Sequence, residues 1–429
     1  MLSCYRVLDL TDEKGFLCGK ALGDLGADVI KIERPGGDPA RRKGPFYHDI
    51  PDPEKGLYWF AFNANKKSIT LDIERVDGKE IFKDLVKNAD VVLESFQPGY
   101  MDSLGLGYEE LSPINPGLGY EELSPINPGL VMTSVTGFGQ EGPYRDYKAP
   151  DIVLWALSGI MYTVGDPDRP PLAPSYDHAY LIGAANAAVG TVIALTHRAI
   201  TAQGQHVDAS TQQALVHVSS AEVQGPWAFQ RRWLERMGTR RFQVTVGTGE
   251  SIYAPLIYEC KEGCITFTLR VGPWAAKGNQ ALVAWMKSEG YDPGRLEQWD
   301  WKTQDWTSVP TPVEAEEVWG TLRGFFLKHT KTELFDWAIE NDVHIGVVNN
   351  VQDLLEFRQL AERNFWTKLE HPELGASLTY PGGFVKMTEA KCGIRLRAPR
   401  IGEHNHEVYQ DVLGFSREDM VALKTRGII

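Results

Sequence analysis

Few single features of this chain are strong enough to decide its function, and its scarcities narrow the field first. Cysteine is sparse: Cys4, Cys18, Cys260, Cys264 and Cys392 are the full set in 429 residues. An odd, scattered set excludes a disulfide framework and implies reduced thiols in a cytoplasmic setting. Cys260 and Cys264 are spaced to face each other across a hairpin turning on 261–263, but no second pair accompanies them, so no metal is expected. Positive charge is also short. A formal net charge of −13 excludes nucleic acid or an anionic membrane as a global partner. A phosphate-bearing ligand would need a pocket that is basic only locally. The most apolar run, Tyr180–Leu195, is interrupted by Asn186 and falls short of the roughly 20 residues of a spanning helix. It reads as a buried helix. The opening residues, Met1–Arg6, lead into a strand-like segment without a signal-peptide pattern. The turn after the first predicted strand, Thr11–Gly15, lacks G-x-G-x-x-G. A nicotinamide-dependent oxidoreductase, for which Glu33 would otherwise suit the ribose, would have no glycine cradle and is expected not to bind NAD.

What is present is an ordinary globular balance, 43% hydrophobic and 24% charged, with length for two domains. Arg6–Leu10 and Asp28–Glu33 read as strands around a helix at Phe16–Leu25, which makes a parallel βαβ unit with a right-handed crossover. A strand at Ser68–Ile73, a helix at Gly78–Asn88 and strands at Asp90–Glu94 and Leu130–Val135 extend it to a doubly wound α/β fold. The segments 107–118 and 119–130 are identical, GYEELSPINPGL twice, and read as a turn-rich surface excursion. His206–Asp208 is a predicted strand, with Ser210 and Gln213 opening the next helix. Beyond about Gly225 the pattern changes. Strands at Ser251–Cys260 and Cys264–Val271, then helices at Trp274–Ser288 and Pro312–Lys328, predict a second, smaller α+β domain. The stretch 364–400 reads as irregular, followed by helices at His406–Leu413 and Arg417–Lys424.

Several segments, in order, resemble family III CoA-transferases, the formyl-CoA and carnitine type: Leu22–Arg41 (LGDLGADVIKIERPGGDPAR), Phe62–Asp72 (FNANKKSITLD), Ala89–Gly99, Ser134–Tyr144, Gly204–Ser210 and Ala398–Asn405. The close, VLGFSREDMVALKTRGII, is similar too. The resemblance runs from residue 8 to 429 and is weakest from Gly225 to Val347. It implies an interlocked dimer. In that arrangement a large Rossmann-like domain is formed by both chain ends (1–224 and 348–429), and a smaller α+β domain by 225–347. It also implies coenzyme A as a substrate thioester, a carboxylic acid as co-substrate, and no metal.

The same resemblance implies site residues. Arg34, after the second strand, would contact the nucleotide. Lys66 and Lys67 would serve phosphates or stand as solvated charges, and Ser95, Phe96 and Gln97 would line the pocket, with Phe96 either against adenine or in the core. Ser103 and Thr136 stand where some members carry a basic residue. The family reaction is covalent: an Asp carboxylate attacks the thioester, and an aspartyl-CoA thioester follows. Asp177, just before the Tyr180–Leu195 helix, is the candidate, but counting without gaps puts the nucleophile position at Tyr180. Asp177 would alternatively cap the helix. Gly247–Gly249 is the nearest glycine loop for an oxyanion, or a plain turn.

Four readings follow. The chain is a homodimeric transferase using Asp177. Or it is the non-catalytic subunit of a hetero-oligomer with a homologous partner, since GDPARRKGPF and HAYLIGAANAAVG resemble that kind of chain in a two-subunit branch moving CoA from succinyl-CoA to an aromatic succinate such as (R)-benzylsuccinate. The third is an acyl-CoA racemase using His178 beside Asp177. The fourth is the oxidoreductase set aside above. Gly402–His404 reads as a structural turn.

Overall fold

The computed structural model describes residues 1–112, 129–219, 224–233 and 236–429. The greater part of the duplicated block, 113–128, lies outside the described residues. The chain divides into two compact units. One comprises Met1–Met161, Ala173–Trp233 and Arg358–Ile429; the other comprises Tyr162–Leu172 and Leu234–Phe357.

The first unit is built on a six-stranded parallel sheet. Its elements in chain order are β1 (Arg6–Asp9), α1 (Phe16–Asp24), β2 (Asp28–Glu33), α2 (Leu57–Asn63), β3 (Lys66–Thr70), α3 (Val76–Val86) and β4 (Val91–Glu94). Then come the short α4 (Tyr100–Ser103) and α5 (Tyr108–Leu111), followed by β5 (Val131–Thr136), α6 (Asp151–Leu157), α7 (His178–Thr201), β6 (Gln205–Ser210), α8 (Thr211–Val218) and α9 (Gly225–Gln230). Strand order is β3-β2-β1-β4-β5-β6, every pair parallel. Sheets of this kind are covered on both faces, so their strands read as unbroken apolar runs, as Val91, Val92 and Leu93 do with no exposed surface. The direction of build-up reverses between β1 and β4, which makes a switch-point crevice at the C-terminal strand ends.

Helix α7 departs from expectation. Its 24 residues are long and apolar enough to cross a membrane by length and composition, but only one face is buried. Ala184, Ala187, Thr191 and Leu195 are covered, whereas Val189, Ile193 and Ile200 are 60%, 62% and 82% exposed. A run of alanines hid this asymmetry, because small residues suit both a packed and an open face.

The second unit carries the hairpin β7 (Arg240–Thr245) and β8 (Ser251–Pro255), then β9 (Ile257–Cys260), β10 (Gly263–Phe267), α10 (Ala276–Ser288), α11 (Pro312–Phe326), α12 (Lys331–Glu340), β11 (Ile345–Val347) and α13 (Val351–Glu356). The predicted single strand Ser251–Cys260 is thus two strands in two sheets, broken where Pro255 ends β8 and the Leu256 N–H donates to Thr239 instead. Cys260 pairs with Gly263 and Cys264 with Glu259, so the two thiols leave opposite faces of the hairpin rather than meeting. Trp299, Trp301, Trp306 and Trp319 are all buried in this unit's core. Gly247–Gly249 is the tight turn of the β7–β8 hairpin, with Gly249 N–H bonded to the Val246 carbonyl.

The chain then returns to the first unit with α14 (Arg358–Glu362). The stretch expected to be irregular forms a hairpin of β12 (Trp366–His371) and β13 (Ala376–Pro381). Pro372 lies in its turn and Pro381 pairs at its open end with Trp366, so neither proline interrupts the middle of the ladder. A π-helical turn at Glu407–Val412 and α15 (Arg417–Thr425) close the chain.

Candidate functional site

Two cavities sit at the C-terminal strand ends and share Ser95 and Phe96. One, about 230 Å³, is walled by Arg34, Leu71, Ile73, Phe96 and Tyr100. The other, about 310 Å³, is walled by Lys14, Gln97, Arg145, Lys148 and Tyr180, with Thr136 alongside. Arg34, Ser95, Phe96 and Gln97 are therefore brought together, flanking the switch point. Arg34 is exposed and donates to Glu74 at 2.7 Å; the Tyr100 hydroxyl shares that carboxylate at 2.6 Å. The Phe96 ring packs on Tyr100 with centroids 4.7 Å apart. Ser95 Oγ donates to Asp12 at 2.8 Å and accepts the Asp12 N–H, which ties the end of β4 to the turn after β1.

Lys66 and Lys67 are not part of this edge. They open β3, with Lys66 opposite Val29, five residues before Arg34 on the parallel neighbour; that is roughly 16 Å along the strands. Lys66 is fully buried on Asp9 at 2.7 Å, and Lys67 pairs with Asp28 and Glu407 at 2.7 and 2.8 Å. A lysine before a strand lies at the edge away from the ligand-binding ends, which corrects the expectation for both. Glu33, weighed as a ribose-binding acid, is likewise occupied: it accepts from Arg41 at 2.6 and 2.7 Å and from Ser68 at 2.5 Å in the interior. The Gly402–His404 turn is structural, with Glu403 on Arg397 at 2.6 Å.

At the start of α7 the two candidate positions part company. Asp177 occupies the N-cap position, yet its side chain caps nothing. Asp151 does that work, accepting the Ala179 and Tyr180 N–H groups at 2.7 and 3.3 Å. The Asp177 carboxylate is instead ion-paired with Lys43, whose ammonium lies 4.6 Å from the centre of the Tyr58 ring. The Tyr58 hydroxyl is held protonated, first by burial and then by the Asp177 charge. Tyr180 is the position that faces the cavity with Ser95–Gln97, and its hydroxyl donates to the Ala149 carbonyl at 2.9 Å. Burial, reinforced by Asp151 and Glu13, pushes that phenol up to about 12, so it stays neutral at physiological pH. His178 is exposed, with its ring against the Ser175 carbonyl, so it forms no acid–base pair with Asp177. Lys43, Tyr58, Tyr100 and Asp151 escaped the sequence reading. Only Asp151 left a signal, an acid opening a helix after Pro150.

Glu94 ends β4 beneath the cavities, and its carboxylate accepts the Phe96 N–H at 2.7 Å. Burial pushes its carboxyl up to about 7 against the opposing hydrogen bond from Ser134. A raised acid favours the folded state while protonated, so its stabilisation is present at pH 5 and is lost as pH rises through 7. Over that interval the parent is expected to lose about 2 kcal/mol that Glu94→Gln does not lose. Urea denaturation of both proteins at pH 5 and 7.5 measures it; parallel losses would refute the assignment.

A profile of CoA-transferase family III matches residues 2–118 and 117–405. The chain is 35% identical to the succinyl-CoA:(R)-benzylsuccinate CoA-transferase subunit BbsE of Thauera aromatica, over 95% of this chain and 93% of that one. It is 28% identical to the succinyl-CoA–L-malate CoA-transferase beta subunit of Chloroflexus aurantiacus, over 100% and 98%. A CaiB/BaiF family protein from Brucella suis, solved by crystallography, superposes with a TM-score of 0.78 at 25% identity, covering 96% of this chain and 98% of that one.

Proposed function

This chain belongs to CoA-transferase family III, and we propose that it is the non-catalytic subunit of a hetero-oligomeric transferase that moves CoA from succinyl-CoA to a dicarboxylic acid, an aromatic succinate such as (R)-benzylsuccinate among them. One observation carries the reading. The residue facing the Ser95–Gln97 cavity from the start of α7 is Tyr180, a neutral phenol already bonded to a backbone carbonyl. A phenol cannot carry the anhydride and thioester exchange that a carboxylate performs. The naming of two relatives as subunits supports a partnered enzyme.

The adenine end of CoA would lie in the Arg34–Phe96–Tyr100 cavity. Arg34 would exchange Glu74 for a phosphate, a stronger charge-assisted partner. The thioester end would extend past Ser95 toward Tyr180. A homologous, catalytically competent subunit would complete the interlocked dimer, with both ends of each chain in its large domain.

The test is purification of the chain alone and with such a subunit, assayed with succinyl-CoA and (R)-benzylsuccinate. No transfer by the chain alone and full transfer by the co-expressed pair is the expected result, since interlocked chains must fold together. Transfer by the isolated chain would sink the proposal and restore the homodimeric reading.

A further inference from the structure

One cavity in the first unit belongs to neither strand-end site. It has about 260 Å³ and lies among the start of β12, the end of β13 and the segment 391–395. Four cations line it, Arg363, Lys386, Lys391 and Arg395, with Thr367 and Asn364 as neutral partners. It is lined by no carboxylate. Among the described residues, Arg363, Lys386 and Lys391 have no acidic partner within 4 Å.

Arg395 is fixed rather than neutralised. It donates to the Gly23 and Asp24 carbonyls at 2.7 and 3.4 Å, at the C-terminal end of α1, where a helix favours positive charge. The Asp24 carboxylate is itself taken by Lys20 at 2.6 Å and Asn65 at 2.7 Å. At Gly383 a Cβ would meet the Cys392 carbonyl at 2.3 Å, so only glycine lets the two walls approach.

Four exposed cations without an acidic partner line one pocket of a chain whose net charge is −13. Such a pocket is strongly electropositive inside an acidic molecule, and it attracts a compact polyanion. Fork-shaped guanidinium and mobile ammonium donors suit phosphate oxygens. The volume is below that of a pocket enclosing a large ligand, so a phosphate or diphosphate group fits better than a whole CoA. Because α1 ends where β2 begins, Arg395 marks the sheet edge opposite the strand-end cavities.

We propose that Arg363, Lys386, Lys391 and Arg395 form a second anion site, remote from the transfer cavities, that binds the phosphate group of a small phosphorylated ligand. This goes beyond the transferase reading and does not depend on it. The full chain, alone or with its partner subunit, is titrated with inorganic phosphate and separately with ADP by calorimetry. Thermal midpoints are recorded in the same samples.

Phosphate should bind and raise the midpoint. The double variant Lys386→Gln/Lys391→Gln should weaken phosphate binding by about tenfold or more, while its affinity for succinyl-CoA stays within about twofold. Arg34→Ala should do the reverse. An unchanged midpoint without phosphate shows that the variant is folded, and Arg363→Gln gives an independent check. With the strand-end cavity disabled by Arg34→Ala, ADP binding more tightly than phosphate marks a nucleotide as the source, whereas equal affinities mark free phosphate. The site is overturned if phosphate fails to bind at 10 mM (roughly the weak limit for a specific small anion), if the variants bind it unchanged, or if CoA affinity falls in parallel. It is also overturned if the double variant loses only its assembly with the partner, which would make the pocket a contact for an acidic protein segment.

Discussion

Replacing Lys66 with methionine is expected to destabilise the chain by about 3–5 kcal/mol, with no CoA-specific defect in the protein that remains folded. Lys66 and Asp9 have no exposed side-chain surface and meet at 2.7 Å, and the ammonium also donates to Asn63 and the Phe16 carbonyl at 3.0 Å each. Burial pulls the Asp9 carboxyl up, but Lys66 and Lys31 together hold it below the usual carboxylate range. Methionine keeps the stem volume and removes the charge, which strands Asp9 in the interior with Lys31 as its remaining cation. The loss belongs at the lower end of the range for that reason. The packing allows no relaxation from α1, since a Cβ at Gly19 would sit 2.3 Å from the Asp9 carboxylate. Asp9→Leu combined with Lys66→Met should recover much of the loss, as buried pairs replaced by apolar groups of similar shape often do. Urea titrations of the parent, Lys66→Met and the double variant measure this. A Lys66→Met protein with parental stability and a large loss of CoA affinity would return Lys66 to the phosphate site.

That result bears on what the sequence could disclose. Two strands of the parallel sheet, β1 and β4, were legible as short apolar runs and β2 by the alternation of DVIKIE, and all three lie where the pattern put them. Arg34 and Ser95–Gln97 were legible as a group because each directly follows a strand, and the ends of parallel strands share one edge. Lys66 and Lys67 follow no strand; they begin one, and the edge they occupy is decided by chain direction rather than composition. The β12–β13 hairpin was obscured by prolines whose effect depends on register, which a single strand does not reveal. Asp177 was read as nucleophile or cap, and its side chain is neither capping nor facing the cavity, because Asp151, 26 residues earlier, takes the helix N–H groups. Lys43 and Tyr58 come from segments more than a hundred residues away from α7, and nothing in their local sequence announces the meeting.

Asp177→Ala in the assembled two-subunit enzyme is expected to leave CoA transfer within about threefold of the parent, whereas loss of a true covalent nucleophile would cost at least about a thousandfold. The geometry explains the small number. The Asp177 carboxylate is held against Lys43, with 22% and 40% of the two side chains exposed. An ion pair that accessible to water contributes on the order of 0.5–1 kcal/mol, so its removal shifts stability little. A nucleophile must also reach the thioester, and the wall facing Ser95–Gln97 is Tyr180, one helical turn further along α7. Tyr180→Asp alone is not expected to create activity. The N–H groups that would steady a new carboxylate at this helix end are already bonded to Asp151, and the negative charges already crowded there would raise its pKa and keep it partly protonated. Steady-state rates with succinyl-CoA for the parent, Asp177→Ala and Tyr180→Asp, each co-expressed with the same partner subunit, separate the cases. A thousandfold fall for Asp177→Ala would mean that the Lys43 pair opens during turnover and that this chain carries the covalent step itself.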